Sequence, residues 1–175
     1  VRVPCVCRRV TTGKDHRLCF GVSVGDMEGR LGALIDPSFW QGPDGTGLEQ
    51  LEKDTALQMM RDFEKDGLMH SVWTFVTPFV GGVCNCDRSD CLAMRTTLEA
   101  GMPLMFRAEY VAEVDWDKCT GCRSCMRVCQ FGAIGYSATA KKAAIDVLRC
   151  YGCGVCRAVC KGEAIGLRER AEVPL

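Results

Sequence analysis

Residues 119–129 read CTGCRSCMRVC, and residues 150–160 read CYGCGVCRAVC. Each stretch carries four cysteines with the spacing C-x2-C-x2-C-x3-C, and every cysteine of the first stretch recurs 31 positions later. The repeat extends to an aspartate before each run (Asp115, Asp146) and to an Ala-Ile-Gly sequence after it (133–135, 164–166). Two copies are too few for a solenoid. The sequence therefore predicts one compact domain with pseudo-twofold symmetry over residues 111–175.

Either disulfides or metal could account for 14 cysteines in 175 residues. Disulfide partners follow no fixed short spacing, whereas metal sites need thiolates at short, regular intervals. Runs of four favour iron–sulfur cubanes over zinc, because zinc sites use paired ligands. Three cysteines at intervals of three can wrap one cubane and leave its fourth corner open. The two runs therefore indicate two 4Fe-4S clusters.

Both runs resemble the motif of bacterial two-cluster ferredoxins. In that family the fourth cysteine of each run binds the other cluster. The resemblance implies a first cluster bound by Cys119, Cys122, Cys125 and Cys160. It implies a second cluster bound by Cys150, Cys153, Cys156 and Cys129. The family usually has proline after each run, where this chain has Gln130 and Lys161.

Upstream, glycine-rich breaks at residues 42–47 and 81–82 flank a charged stretch. Thr46 and Glu49 have capping-box spacing, and Gly67 is a plausible helix stop. Between them, apolar residues fall on one helical face and are expected in the core: Leu48, Leu51, Ala56, Met59, Met60 and Phe63. The stretch predicts an amphipathic helix, or two.

The rest of residues 1–110 gives weaker signals. A second short helix is predicted from Ser89 to near Gly101, and the apolar run 71–84 is predicted to be buried strand and turn. We therefore expect an α+β fold, in which a small, mainly helical, cysteine-rich region over residues 1–110 precedes the ferredoxin-like domain.

Six further cysteines lie in this region: Cys5, Cys7, Cys19, Cys84, Cys86 and Cys91. They form two groups separated by the predicted helix, as if the chain folds back to close one site. Six such thiols in a reducing compartment are unlikely to be unrelated core residues. We predict a third 4Fe-4S cluster bound by four of the six. A zinc site and free or redox-active thiols are the alternatives.

Several segments resemble a family of anaerobic iron–sulfur proteins with a cysteine-rich region ahead of a ferredoxin domain: PCVCR (4–8), CFG (19–21), GLMH (67–70) and CNC (84–86). More narrowly, the size and layout are similar to the small iron–sulfur subunits of ATP-independent benzoyl-coenzyme A reductases. That resemblance implies a tungsten-containing catalytic subunit as partner. His16 and His70 could be ligands or proton carriers, but lone histidines beside a motif are more often structural.

The charge balance and the motifs limit the range of possible functions. The 22 basic and 22 acidic residues leave no bulk charge to attract nucleic acid, and the run 71–84 is too short to span a bilayer. A cytoplasmic protein is expected. No nucleotide-binding glycine motif, nucleophile elbow or zinc-protease motif occurs, so we assign no catalytic residue.

The sequence thus favours a subunit that relays single electrons between a soluble donor or acceptor and a larger catalytic oxidoreductase subunit. Two alternatives remain. One is a stand-alone reductase that uses the N-terminal cluster or thiols on a small substrate. The other is a ferredoxin with a zinc-bearing interaction module.

Overall fold

The computed structural model describes residues 1–14, 16–22, 49–76 and 78–173, and for residues 75 and 76 it describes the backbone alone. The chain divides into two compact units. The first comprises the described residues of Val1–Arg61 and His70–Arg95, and the second those of Asp62–Met69 and Thr96–Leu175. Helices and strands are mixed, as predicted. The predicted boundary between residues 110 and 111 stays a prediction.

Four strands form the sheet of the N-terminal part of the chain. β1 (Arg2–Val3), β2 (Cys19–Gly21), β3 (Met69–Val76) and β4 (Phe79–Cys86) lie in the order β1-β2-β4-β3. β2 runs antiparallel to β1 and β4, and Cys19 lies directly opposite Cys84.

This sheet corrects the prediction of a mainly helical region. Strands of two and three residues are too short to show an alternating pattern. Gly81 and Gly82, which we predicted to be a break, lie inside β4. Gly82 faces the neighbouring strand, since a Cβ there would lie 3.5 Å from the carbonyl oxygen of Phe20.

The predicted amphipathic helix is α2 (Lys53–Lys65), which follows α1 (Val6–Thr12) in the chain. Its predicted apolar positions from Ala56 to Phe63 are half-buried. The helix begins later than the capping box predicted. Glu49 instead pairs with Arg2 in an antiparallel bridge, with N···O distances of 2.7 and 3.1 Å. Residues 42–47 and Leu48 lie outside the described residues.

The predicted stop of this helix is confirmed. Gly67 has a φ of 86°, a left-handed conformation that favours glycine. The N–H groups of Gly67 and Leu68 donate to the carbonyl oxygens of Glu64 and Phe63, at 3.0 and 2.9 Å. These two bonds form a Schellman motif, which satisfies the last carbonyl groups of the helix.

The apolar run 71–84 forms strands, as predicted, but its predicted burial is wrong. Val72, Phe79 and Val80 are 62%, 72% and 42% exposed. The two strands of this hairpin are therefore only partly covered by the rest of the described chain. The second predicted helix is α3 (Leu92–Glu99), shorter than predicted because residues 88–90 form a turn.

The second unit contains two separate two-stranded antiparallel sheets. β5 (Tyr110–Val114) pairs with β8 (Ile165–Glu169), and β6 (Ile134–Ser137) pairs with β7 (Lys142–Ile145). The short helices α4 (Ser124–Val128) and α5 (Val155–Ala158) start within the cysteine runs. The buried core includes small side chains: Ala112, Ala133, Ala143, Cys125, Cys150 and Cys156. Such side chains bury little apolar surface.

Candidate metal centres

Both cysteine loops of the second unit turn through a glycine that no other residue could replace without strain. Gly121 and Gly152 have φ values of 70° and 77°. A Cβ at Gly121 would lie 2.2 Å from the carbonyl oxygen of Lys141, and a Cβ at Gly152 would lie 2.2 Å from that of Tyr110. Each loop thus lies tightly against neighbouring backbone, which fixes where the thiols can lie.

One cavity brings together the four cysteines predicted for the second cluster. Cys129, at the end of the first run, lines it with Cys150, Cys153 and Cys156 of the second run. Its other walls are mostly apolar and include Ala112, Val128, Phe131, Ala133, Ile134 and Val155. Phe131 stacks on Tyr151, with ring centroids 4.0 Å apart and planes at 7°, and both rings line the cavity.

Burial controls the protonation of these thiols. It raises the pKa of Cys153 to about 11 and of Cys156 to about 12, and charge repulsion between neighbouring thiols, Cys129 among them, acts in the same direction. Without a bound metal, the thiols of Cys153 and Cys156 are therefore protonated at neutral pH. A metal must displace their protons when it binds.

Backbone N–H groups donate to several of these sulfur atoms. Ala133 donates to Cys129 Sγ at 3.2 Å, and Ala164 donates to Cys160 Sγ at 3.3 Å. Ala112 of β5 donates to Cys150 Sγ at 3.4 Å. Donors of this kind stabilise the negative charge of cluster ligands. Thiol-only donors, tight glycine loops and N–H···S bonds together fit an iron–sulfur cluster.

The first three cysteines of the first run also lie together. Burial raises the pKa of Cys125, and charge repulsion from Cys122 and Cys119 raises it further. Cys122 is exposed, whereas Cys125 is buried. Cys160 packs against the same core as Cys119. Its ligation beside these three cysteines stays a prediction.

Comparison with known protein families agrees with this geometry. Residues 112–135 match a 4Fe-4S binding domain. The match spans the whole first run and supports an iron–sulfur electron-transfer role for this ferredoxin-type domain. A comparison with curated proteins found no match. Among the described residues, no helix is long and apolar enough to cross a membrane.

Gln130 stands where ferredoxins usually have proline, and its side chain has a structural partner. Its Nε2 donates to the carbonyl oxygen of Gly67 at 2.9 Å, and a Cβ at the same glycine would lie 3.3 Å from the side chain of Val128. The ferredoxin-type domain thereby holds the turn that follows α2. Sequence reasoning missed this contact because the residues are far apart in the chain.

In the first unit, all six N-terminal cysteines lie together, in what we call the six-thiol cluster. Their side chains are hydrogen-bonded neighbours in the order Cys5, Cys19, Cys84, Cys86, Cys91 and Cys7. Cys84 and Cys86 lie on one face of β4, because alternate residues of a strand share a face. The structure thus brings together every cysteine that the sequence nominated for a third centre.

Hydrogen bonds redistribute protons within the six-thiol cluster. Hydrogen bonds from Cys19 and Cys86 lower the pKa of Cys84 to about 5. The hydrogen bond between Cys84 and Cys86 has the opposite effect on Cys86, whose pKa is raised to about 12. Backbone N–H groups also donate to the sulfurs, from Arg8 to Cys5, from Leu92 and Ala93 to Cys7, and from Met94 to Cys91. Within the cluster, negative charge is therefore favoured on the sulfurs of Cys5 and Cys84, whose pKa values are lowered, and disfavoured on the other four, whose pKa values are raised.

A buried arginine joins the two halves of this cluster. Arg8 is 4% exposed, and its guanidinium donates to Asp90 Oδ2 at 2.7 Å and to Asp87 Oδ2 at 2.5 Å. It also donates to the carbonyl oxygen of Asn85, between Cys84 and Cys86, at 3.3 Å. Arg8 thus ties the helix that carries Cys7 to the segment that carries the later cysteines.

The carboxylate of Asp87 responds to this arginine. Burial raises the pKa of Asp87, but hydrogen bonds from Ser89 and Arg8 outweigh it, so that the net pKa is lowered. Both partners are therefore charged at neutral pH. No sequence pattern identified Arg8, Asp87 or Asp90, because the arginine is separated from them by most of the first unit.

The two histidines differ in surroundings. His70 Nδ1 lies 2.6 Å from Oδ1 of the buried Asn85, a structural hydrogen bond, whereas His16 is exposed. Across the part of the chain that the structure describes, no group of three or more His, Cys, Asp or Glu side chains converges on a point that would hold a single metal ion. Ligation by either histidine stays untested.

Proposed function

We propose that this chain is the electron-transfer subunit of a larger oxidoreductase and holds two 4Fe-4S clusters in its ferredoxin-type domain. The observation that carries the proposal is the cavity in which Cys129 meets Cys150, Cys153 and Cys156. A fourth ligand taken from the other run is the expected arrangement of two-cluster ferredoxins. By the symmetry of the repeat, Cys160 completes the set of Cys119, Cys122 and Cys125.

The chain's own residues would tune and protect these clusters. A 4Fe-4S cluster supplies one-electron transfer, at a potential set by its surroundings. Ala112, Ala133 and Ala164 hold the ligand sulfurs through their N–H groups. The stacked rings of Phe131 and Tyr151 line the cavity of the second cluster and would shield that cluster from water. The exposed Cys122 leaves the first cluster nearer to solvent, where a partner could approach.

The proposed partner is a larger catalytic oxidoreductase subunit. The resemblance to small subunits of ATP-independent benzoyl-coenzyme A reductases favours a tungsten-containing catalytic subunit in an anaerobe, with a soluble electron donor or acceptor in the cytoplasm. A formal net charge of +0 suits a stable interface better than a purely steered encounter. The exposed side chains Val72, Phe79 and Val80 also support an interface, since exposed apolar groups often mark one.

The proposal is tested by offering substrates to the reduced chain with and without its partner. The chain is reconstituted with iron and sulfide under anaerobic conditions, reduced, and mixed with candidate substrates such as aromatic coenzyme A thioesters. We expect rapid electron transfer to a co-purified large subunit and no sustained turnover by the chain alone. Sustained substrate reduction by the isolated chain would overturn the relay and favour the stand-alone reductase.

The sequence also predicts a third cubane bound by four of the six N-terminal cysteines. Three cubanes require about twelve irons per chain, and two require about eight. Iron and zinc analysis of the reconstituted chain distinguishes these cases.

A further inference from the structure

Cys19 of β2 and Cys84 of β4 lie directly opposite each other in the antiparallel pairing of these strands. The backbone shows which kind of pair they form. The N–H of Asn85 donates to the carbonyl oxygen of Leu18 at 3.2 Å. This bond joins the residue after Cys84 to the residue before Cys19, so it lies outside the pair. Cys19 and Cys84 are therefore a non-hydrogen-bonded pair.

Pairs of this kind bring two side chains close enough for a disulfide. Their Cα atoms lie about 4.5 Å apart, and both side chains point to the same face of the sheet. A disulfide needs Cα atoms about 4.4 to 6.8 Å apart. Cys84 and Cys86 suit one less well, because alternate residues of a strand are about 6.8 Å apart with parallel side chains. The register thus favours Cys19 as the partner of Cys84.

Asn85, which is 1% exposed, fixes this register. Its Nδ2 donates to the same carbonyl oxygen of Leu18 at 2.5 Å, which orients the amide. Its Oδ1 lies 2.6 Å from Nδ1 of His70 in β3 and can only accept, so the histidine nitrogen carries the hydrogen. One side chain therefore holds β4 against both neighbouring strands beside the cysteine pair. A slip of one residue would turn Cys84 to the other face of the sheet.

We propose that Cys19 and Cys84 are a redox-active dithiol that reduces low-molecular-weight disulfides and forms a cross-strand disulfide in return. Both cysteines are half-buried, so a small disulfide can reach them. Disulfides in a reducing compartment are usually transient and serve catalysis or redox sensing. The other four cysteines of the six-thiol cluster remain for the predicted third cubane. The dithiol therefore neither requires nor excludes that centre.

The reaction is thiol–disulfide exchange. One sulfur of the pair attacks a sulfur of the small disulfide RSSR, whose S–S bond breaks. The first RSH leaves with the proton of the attacking thiol. The second thiol of the pair then attacks the mixed disulfide, releases the second RSH and closes the bond between Cys19 and Cys84. Two protein thiols are oxidised as one small disulfide is reduced, so RSSR is the only oxidant needed.

Oxidised glutathione tests this dithiol in the full chain. The chain is reconstituted anaerobically with iron and sulfide, exposed to oxidised glutathione, quenched with acid, alkylated and mapped by mass spectrometry. We expect a Cys19–Cys84 disulfide as the main product, release of about two reduced glutathiones per chain, and recovery of both thiols with dithiothreitol. A different main disulfide, such as Cys5–Cys19, or unreacted Cys19 and Cys84, would overturn the proposal. Iron content, measured in parallel, reports separately on the proposed ferredoxin clusters.

Single substitutions distinguish a pair from two independent thiols. In at least one of Cys84→Ser and Cys19→Ser, the remaining cysteine should stop at the mixed disulfide and release about one reduced glutathione per chain instead of about two. Hydrogen-exchange protection of β4 shows that each variant keeps the sheet. Release of about two glutathiones by both variants, or a mixed disulfide in neither, would overturn the assignment of the pair.

Discussion

Gly152 offers a sharp test of the loop that carries the second cysteine run. Its φ is 77°, and a Cβ would lie 2.2 Å from the carbonyl oxygen of Tyr110. We expect Gly152→Ala to cost ~2 kcal/mol or more, because the left-handed conformation is strained for alanine and the backbone must also shift. Iron content and the apparent melting temperature of the reconstituted chain measure the effect.

Gly166 provides the matched control. It lies in β8, and a Cβ there meets nothing within 4 Å. Gly166→Ala should therefore leave iron content and melting temperature nearly unchanged. Equal behaviour of the two variants would show that the loop is not held as tightly as described.

Cys129 tests the exchange of ligands between the two runs. It lines one cavity with Cys150, Cys153 and Cys156, so Cys129→Ser should perturb the second cluster and spare the first. Paramagnetic resonance of the partly reduced chain separates the two clusters. Loss of the first cluster, with the signal of the second unchanged, would refute the exchange.

At the scale of single residues, the sequence predicted the features that depend on the spacing of cysteines. The two runs of four cysteines follow from their short, regular intervals, and the six N-terminal cysteines follow from their number and their clustering in two groups, while the binding of metal by any of them stays a prediction. The sequence did not reveal the residues that hold these cysteines in place. Arg8 lies far in the chain from Asp87 and Asp90, and a single arginine beside a cysteine has no pattern that marks it as buried.

Among the elements, α1 depends on the ion pairs of Arg8. The arginine is 4% exposed, and removing it leaves two charged carboxylates without their partner. We expect Arg8→Met to destabilise the first unit by about 3 kcal/mol. This value is at the lower end of the range for breaking a buried ion pair, because Asp87 and Asp90 keep some contact with water. Hydrogen exchange of α1 and β4 measures this local loss.

A second ion pair serves as the control. Lys65 and Asp62 form a pair at 3.0 Å on the exposed face of α2, with side chains 66% and 53% exposed. Lys65→Met should change stability by less than about 1 kcal/mol, because exposed pairs are screened by water. If both variants were equally stable, Arg8 would not be the tie between the two halves of the six-thiol cluster.

Elements were predictable where a local signal was strong. The apolar face of α2 and its end at Gly67 were predicted correctly, because both depend on neighbouring residues, but the face is half-buried and not in the core as expected. The start of α2 was missed because Glu49 is engaged by Arg2, a distant partner. The sheet was missed because β1 and β2 are very short and gain their structure from pairing with other strands.

At the scale of the molecule, the ferredoxin-type domain should need its clusters in order to fold. Small side chains such as Ala112, Ala133 and Ala143 contribute to its core, and small apolar residues stabilise a domain weakly. Anaerobic removal of iron by a chelator should therefore abolish hydrogen-exchange protection of β5 and β8. A metal-free chain that keeps this protection would show that the apolar core suffices.

The most direct test of the central claim is to count electrons. The reconstituted chain is titrated with a low-potential reductant while iron is measured and the clusters are followed by paramagnetic resonance. Two clusters in the ferredoxin-type domain predict at least two electrons and at least about eight irons per chain. Fewer than two electrons, or about four irons after full reconstitution, would contradict a two-cluster electron-transfer protein.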